Sequence, residues 1–375
     1  YMRRYIISHY NEPIDIASSS LSEKHAVYGG GPNLKLGLTN VAAKYRPELI
    51  GIATTCLTET IGDDVAMYLR QYAEDTKGSV GLPTFVNVST PSYSGTHMEG
   101  FHAAVREVVA HLSEGGPRNA SINLLPGFVS SADYRLLHEI LGDFGLDSAL
   151  LPDLSETMDG PARLEYEKIQ GGGTPLAKIK AMGRAKATIE FGPTLGAMKT
   201  GGDVLREKFS VPQHRIGMPI GIRETDLFFH LLEELSGRPM PEKYAKQRGR
   251  LIDAYVDGHK YVSGKRAVVY GEEDLVVGMS SFLTEIGIQP VLCASGGTSG
   301  RLKEAIAAVT GDTLAEQPQV FEDVDFYQIN EMAEQLNIDL VVGHSKGFNL
   351  AKKLNIPLIR VGFPIHDRIG GQRIL

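Results

Sequence analysis

The chain has 375 residues, too many for one ordinary core, so two or three domains of roughly 100–200 residues are expected. Hydrophobic residues make up 42% and charged residues 22%, a globular composition that excludes a wholly disordered chain. The net charge of −7 argues against a nucleic-acid binder, which usually carries a basic face. No apolar run reaches the roughly 18 residues that a membrane span needs, and no signal-peptide pattern opens the sequence. We therefore expect a cytoplasmic protein with no membrane partner.

The first third of the sequence alternates short strands with helices. Strands are predicted at 49–55, 84–88 and 122–125, each a short apolar or β-branched run that ends in turn residues. Helices are predicted at 62–73 and 100–112. An amphipathic helix is expected over Tyr5–Tyr10, ending before Pro13. The sequence starts at Tyr1 rather than Met and stops soon after a strand-and-turn pattern, which indicates a piece of a longer protein.

The same alternation continues through the rest of the chain. Strands are predicted at 148–151, 187–191, 267–270, 290–294, 340–342 and 357–361. Helices are predicted at 134–141, 227–235, 244–261 and 274–286, and a glycine turn at 171–174 is expected to cap a further short helix. Such alternation is typical of parallel sheets with right-handed crossovers. We predict an α/β fold of three Rossmann-like domains, with parallel sheets flanked by helices, over residues 1–120, 121–245 and 246–375.

Cysteine content limits the possible metal chemistry. The two cysteines, Cys56 and Cys293, lie far apart in sequence and cannot form a disulfide framework. They also cannot supply all the thiolates of an iron–sulfur cluster or of a structural zinc site, so most ligands of any bound cluster would come from elsewhere. Cys293 lies inside an apolar predicted strand and is expected in the core. Cys56 follows a predicted strand, where a helix dipole would stabilise a thiolate, although a buried inert thiol is the commoner role.

Ligands of open parallel sheets bind beyond the carboxyl ends of the strands. Residues that follow predicted strands are therefore candidates for a site: Cys56, Ser89–Ser92, Gly127, Gly271, Gly343–Ser345 and Gly362–Pro364. The hydroxyls after the second strand could line one crevice with Cys56, but turn formation and helix capping explain the same residues. A nucleophile-elbow hydrolase, a nicotinamide enzyme and an ATPase are not supported, because the G-x-S-x-G, G-x-G-x-x-G and Walker A patterns are missing.

Several blocks, in a fixed order along nearly the whole chain, carry a family resemblance. They are 3–13, 26–30, Ile52–Asp64 with Thr-Thr-Cys, Thr90–Gly95 with Thr-Pro-Ser, Gln247–Leu251, Gly343–Ser345, and Arg360–Arg368 with Gly-Phe-Pro. Together they resemble the nitrogenase component 1 family on its β-chain side. The Thr-Thr-Cys and Gly-Phe-Pro blocks are the most specific of these.

The resemblance implies a shared iron–sulfur cluster where this chain meets a homologous α-type chain in an α2β2 heterotetramer. The cluster would be a 4Fe–4S cluster or an eight-iron P-cluster type. Cys56 matches the family's metal-ligating cysteine, and Ser92 matches the serine that approaches the same cluster and can bind iron when the cluster is oxidised. Other β-chain cysteines would precede Tyr1. An iron protein would dock transiently as reductase, and the complex could carry an iron–molybdenum cofactor or its precursor.

Two roles within the family stay open. The favoured role is the N chain of the scaffold that matures the iron–molybdenum cofactor, because the loop 151–160, the turn 171–174 and the ending 366–373 look like that chain. Retention of Cys56 and Ser92 favours the alternative, a catalytic β chain of a nitrogenase or nitrogenase-like reductase that relays electrons through a P-cluster. In neither role is the chain expected to catalyse a reaction alone. A third hypothesis, a nucleotide-sugar enzyme, lacks the diphosphate-binding turn that it requires.

Overall fold

The computed structural model describes residues 16–77, 81–162, 164–311 and 313–367. The helix predicted over Tyr5–Tyr10 and the part of the last family block after Asp367 lie outside the described residues. Every strand pair among the described residues is parallel, which confirms the predicted α/β architecture of parallel sheets flanked by helices. The strands belong to three separate sheets.

Among the described residues, the first sheet consists of two strands, β1 (Leu49–Ala53) and β2 (Thr84–Val88). Its helices are α1 (Glu23–Tyr28), α2 (Gly31–Tyr45), α3 (Cys56–Thr60), α4 (Val65–Asp75) and α5 (His97–Leu112). Helix α5 begins at His97 rather than at the predicted Gly100. Its first turn is closed by a capping box, in which the Glu99 backbone N–H donates to Thr96 Oγ1 and the Glu99 carboxylate accepts from the Thr96 N–H.

The second sheet has the strand order β4-β3-β5-β6. Its strands are β3 (Ile122–Leu125), β4 (Ser148–Leu150), β5 (Ala187–Phe191) and β6 (Gln213–Ile216). Its helices are α6 (Ser131–Asp143), α7 (Leu176–Ala181), α8 (Gly201–Phe209) and α9 (Gly221–Ser236). The prediction that the glycine turn 171–174 caps a helix is wrong in position, because Pro175 is the N-cap of α7. Proline suits this place, since it donates no N–H to a helix.

The third sheet has the strand order β11-β10-β7-β8-β9. Its strands are β7 (Arg266–Tyr270), β8 (Gln289–Ala294), β9 (Gln319–Phe321), β10 (Leu340–Gly343) and β11 (Leu358–Arg360). Its helices are α10 (Glu242–Val262), α11 (Glu273–Glu285), α12 (Leu302–Thr310), α13 (Phe326–Glu334) and α14 (Phe348–Leu354). None of the helices at the described residues is long and apolar enough to cross a membrane.

Buried side chains connect the three sheets. One cluster contains Ile122 and Ile189 of the second sheet together with Val269 and Val342 of the third. Another joins Val86 of β2 to the second sheet. Two apolar clusters therefore form the core that joins the three sheets, and the burial of apolar side chains is the main favourable contribution to folding. Each sheet lies within one of the predicted ranges 1–120, 121–245 and 246–375, whose exact boundaries stay a prediction.

A buried ionic network stabilises the second sheet next to this core. Glu190, at 1% exposure, accepts hydrogen bonds at its Oε2 from Arg215 Nη2 at 2.8 Å and from Thr200 Oγ1 at 2.9 Å. The same guanidinium contacts Asp203 Oδ2 at 3.1 Å. Burial opposes the charge of Arg215, but its bonds to Glu190 and Asp203 prevail and raise its pKa. A buried charge of this kind is tolerated only while its partners are present.

Glu190→Ala is expected to destabilise the chain by about 3–5 kcal/mol, because it leaves the Arg215 guanidinium partly buried without its main partner. The free energy of unfolding from denaturant titration measures this loss. The matched control is Glu234→Ala, a substitution at an exposed position of α9, which is expected to change stability by less than about 0.5 kcal/mol. Equal unfolding free energies for Glu190→Ala and the control would contradict the role given to this network.

Candidate functional site

The candidate site lies at the carboxyl ends of β1 and β2. The two strands run in parallel with Ala53 opposite Val88, and the Thr54 N–H donates to the Val88 carbonyl at 3.1 Å, so the pairing continues one residue beyond the strand. Parallel strands deliver their following loops to the same edge of a sheet. The segment after β1 therefore meets the segment after β2 at this edge.

Cys56 is the first residue of α3, directly after β1. Thr55 has the extended backbone of an N-cap residue, and its N–H donates to Thr58 Oγ1 at 2.9 Å. The chain then turns at Gly62, whose φ of +74° lies in the left-handed region that favours glycine. Asp64 caps α4 by accepting from the Met67 N–H at 2.8 Å. These local signals hold Cys56 at the edge of the sheet and leave its side chain half-buried.

The structure brings Cys56 and Ser92, the two residues predicted to form the site, into direct contact. Ser92 Oγ lies 2.7 Å from Cys56 Sγ, and the Ser92 backbone N–H donates to the same sulfur at 3.2 Å. The hydrogen bond from the Ser92 side chain, followed by that from its backbone, lowers the pKa of the Cys56 thiol. Hydrogen bonds to the charged form favour it, so this pair favours a thiolate, the form of cysteine that binds metal.

The second cysteine occupies the opposite environment. Cys293 is fully buried in β8, where its Sγ lies 3.3 Å from Ser280 Oγ. Burial raises the pKa of Cys293 to about 12, which keeps the thiol protonated. The prediction that Cys293 belongs to the core is confirmed. Cys56 is thus the one thiol of this sequence that is accessible to a metal.

Large apolar side chains next in sequence to Cys56 and to Ser92 are exposed. Leu57 follows Cys56 and Tyr93 follows Ser92, with exposures of 45% and 64%. Exposed apolar side chains of this kind contribute to a contact surface where they lie in one contiguous patch. Across the described residues, no group of three or more His, Cys, Asp or Glu side chains forms a metal site within this chain. A metal at Cys56 therefore needs ligands from elsewhere.

Phe363, one of the other predicted strand-end residues, lies where side chains that follow or flank strands of all three sheets meet. Phe128, just after β3, packs edge-to-face against Phe101 of α5 and against Phe363, which follows β11, with ring centroids 5.5 and 5.0 Å apart. His97 Nε2 lies 2.7 Å from Glu272 Oε1, and this hydrogen bond raises the pKa of His97. Sequence reasoning missed this ion pair, because no local pattern links two residues so far apart in the chain.

Two of the family-like blocks meet in the third sheet and have structural roles there. Arg360 makes a two-pronged contact with Asp367, at 2.9 Å to Oδ1 and 2.6 Å to Oδ2. The hydroxyl of Ser345 also donates to Asp367, and these two partners hold the pKa of that carboxyl well below its usual range. Burial lowers the pKa of the neighbouring His344 to about 4, so its imidazole is neutral. These residues stabilise the loops after β10 and β11.

Comparisons with known proteins place this chain among relatives along its whole length. The family described as "Nitrogenase component 1 type Oxidoreductase" matches residues 1–375. The nitrogenase molybdenum–iron protein β chain of Clostridium pasteurianum is 33% identical over 371 residues, which cover 99% of this chain and 80% of that protein. The nitrogenase vanadium–iron protein β chain of Trichormus variabilis is 34% identical over 379 residues, which cover 99% of this chain and 81% of that protein.

A solved structure has the same fold over nearly the whole of this chain. The chain described as "Nitrogenase Cp1 at pH 6.5" superposes with a TM-score of 0.94 at 33% identity, covering 98% of this chain and 80% of that one. A chain described as "Nitrogenase Cp1 at pH 5" has a TM-score of 0.69 at 15% identity and shows likeness of fold alone. By its sequence over the full length and by its fold, the chain belongs to the nitrogenase component 1 family of oxidoreductases, as a β-type member.

Proposed function

We propose that this chain is a β-type subunit that presents the Cys56 thiolate to an iron–sulfur cluster shared with a homologous α-type chain. The observation that carries the proposal is the contact between Cys56 Sγ and Ser92 Oγ, at 2.7 Å, on adjoining strand ends. The relatives reported above are named as β chains of metal–iron nitrogenase proteins, which supports the same assignment. The α2β2 assembly and the docking of an iron protein reductase are part of this proposal.

The residues present fit one side of such a cluster. Cys56 is half-buried and has a lowered thiol pKa, as a soft iron ligand requires. One thiolate cannot hold a cluster, so the remaining ligands would come from outside the described residues, including a partner chain. When bound, an iron–sulfur cluster supplies one-electron transfer between a reductase and the partner chain.

Hydrogen bonds within this chain fix the position of the sulfur. The Ser92 hydroxyl and backbone N–H orient Cys56 Sγ from one side. Such hydrogen bonds to a ligand sulfur tune the reduction potential of a metal centre. Leu57 and Tyr93, which follow Cys56 and Ser92 in the sequence, are exposed apolar side chains that an α-type chain would cover.

Between the two roles in the family, the site supports the catalytic β chain best. The Ser92 hydroxyl adds an oxygen donor beside the thiolate, as expected of a relay cluster that changes its ligands with oxidation state. The cofactor scaffold is the second candidate, because the loop 151–160 resembles that of a scaffold N chain. This loop is held firmly against α6, where Arg135 donates to Asp159 Oδ2 at 2.9 Å and His138 lies 2.7 Å from Asp153.

Ser92→Ala is expected to raise the pKa of the Cys56 thiol, because it removes the side-chain hydrogen bond that contributes most to lowering that pKa. The pH dependence of Cys56 alkylation in the cluster-free chain, followed by mass spectrometry of the peptide, measures the shift. Ser94→Ala, at an exposed position of the same loop, is the matched control. A Ser92→Ala profile that coincides with the control would contradict the pairing.

Cys56→Ala is expected to remove or alter the interface cluster while leaving the fold intact, because the half-buried thiol has no part in the apolar core. Iron content and the visible absorption spectrum of the purified complex measure this. Cys293→Ala, which removes the buried thiol, is expected to retain the cluster. Unchanged cluster spectra in Cys56→Ala would show that Cys56 is not a ligand.

Iron content also separates the two roles. A catalytic complex is expected to show the redox behaviour and iron count of an eight-iron cluster at each α–β interface, whereas a scaffold complex is expected to show a smaller 4Fe–4S cluster there. Metal analysis of the complex freed of its exchangeable cofactor, combined with redox titration by electron paramagnetic resonance, measures both. A 4Fe–4S signal alone would overturn the catalytic assignment and support the scaffold.

A further inference from the structure

A carboxylate joins the two segments that carry Cys56 and Ser92. Glu59 lies on the same short helix as Cys56, and its Oε1 accepts a hydrogen bond from Ser89 Oγ at 2.6 Å. The same oxygen accepts from the hydroxyl of Thr54, the residue that follows β1. Glu59 therefore contacts both the segment after β1 and the segment after β2.

Two further bonds extend this connection toward Ser92. The Thr90 N–H donates to Thr54 Oγ1 at 2.9 Å, and Thr90 Oγ1 donates to the Thr54 carbonyl at 2.9 Å. The Thr54 hydroxyl gives its single proton to Glu59, so its oxygen is left as the acceptor for the Thr90 N–H. The carboxylate thus orients the Thr54 hydroxyl, the group that links Glu59 to the Thr90 N–H.

We propose that Glu59 is a positioning residue for the Cys56–Ser92 pair. Its carboxylate orients Thr54 and Ser89 so that the loop after β2 is held close enough for Ser92 to reach the Cys56 sulfur. Glu59 itself is not assigned a contact with the metal. The effect of this role on iron binding rests on the function proposed above. The hydrogen bonds that join the two loops are a property of this chain alone.

A merely electrostatic role predicts a different outcome from a positioning role. Glutamine at position 59 would keep an oxygen with two lone pairs for the Thr54 and Ser89 hydroxyls, but would lose the negative charge. Alanine would lose both the charge and the acceptor. The positioning role therefore predicts that the glutamine variant behaves as the unaltered chain does, and that the alanine variant does not.

Amide hydrogen exchange of the full chain without its cluster tests this directly. Glu59→Ala is expected to speed exchange of the Thr90 and Ser92 amides by about tenfold or more, because one supporting hydrogen bond to a charged group is lost on each side. Glu59→Gln is expected to stay within about twofold of the unaltered chain. Glu48→Ala, an exposed position at the opposite end of the same sheet, is the matched control.

A second variant keeps the test decisive if Glu59→Ala does not yield folded protein. Ser89→Ala removes one hydrogen-bond donor to Glu59 at an exposed position and is expected to speed exchange at Thr90 in the same direction. Exchange in Glu59→Ala or Ser89→Ala equal to that of Glu48→Ala would overturn the positioning role. Equally fast exchange in Glu59→Gln and Glu59→Ala would also overturn the positioning role, because it would show that the negative charge of Glu59 holds the loops.

The metal-loaded complex provides the link to function. Glu59→Ala is expected to change the electron paramagnetic resonance signal of the oxidised cluster, and Glu59→Gln is expected to retain it. An unaltered signal in Glu59→Ala, in a complex that binds iron, would overturn the role at the cluster. If the unaltered complex binds no iron at Cys56, the function proposed above fails, and the exchange experiment still decides the positioning of the loops.

Discussion

The parallel register of β1 and β2 is the constraint on which the site depends. With Ala53 opposite Val88, the chain leaves both strands at one edge of the sheet, and Cys56 and Ser92 follow within a few residues. In an antiparallel pair the same two residues would lie at opposite edges. The contact of 2.7 Å between Sγ and Oγ is therefore a consequence of strand topology as much as of residue identity.

The two cysteines show how strongly position decides chemistry. Cys293, inside β8, is sealed by the core of the third sheet, and burial keeps its thiol protonated. Cys56, one turn beyond a strand, stays half-buried and accepts hydrogen bonds that favour the thiolate. A single accessible thiol with a lowered pKa, beside exposed Leu57 and Tyr93, is suited to a metal shared with another chain, and is poorly suited to a metal site within one subunit.

The sequence was sufficient to predict the architecture wherever a strand is a short run rich in apolar and β-branched residues. The bounds of β2, β3 and β5 agree with those predicted, because each such run ends at turn residues, Ser-Thr-Pro after β2, Pro-Gly after β3 and Gly-Pro after β5. The edge strands β6 and β9 were missed, because Gln213–Ile216 is mostly polar and Gln319–Phe321 is very short. Cys56 and Ser92 could be predicted from strand ends and family blocks. Glu59 could not, because its role arises only when Ser89 is brought beside it by strand pairing.

The loops beyond the strands act as one connected unit around the thiol, with Ser92 holding the sulfur and Glu59 holding the loops. The most direct test of this account is a structure of the complete complex with iron located by its anomalous X-ray scattering. The account predicts iron at bonding distance from Cys56 Sγ, at the boundary between this chain and a homologous partner. Iron found only elsewhere in the complex, with the Cys56 thiol free, would contradict it.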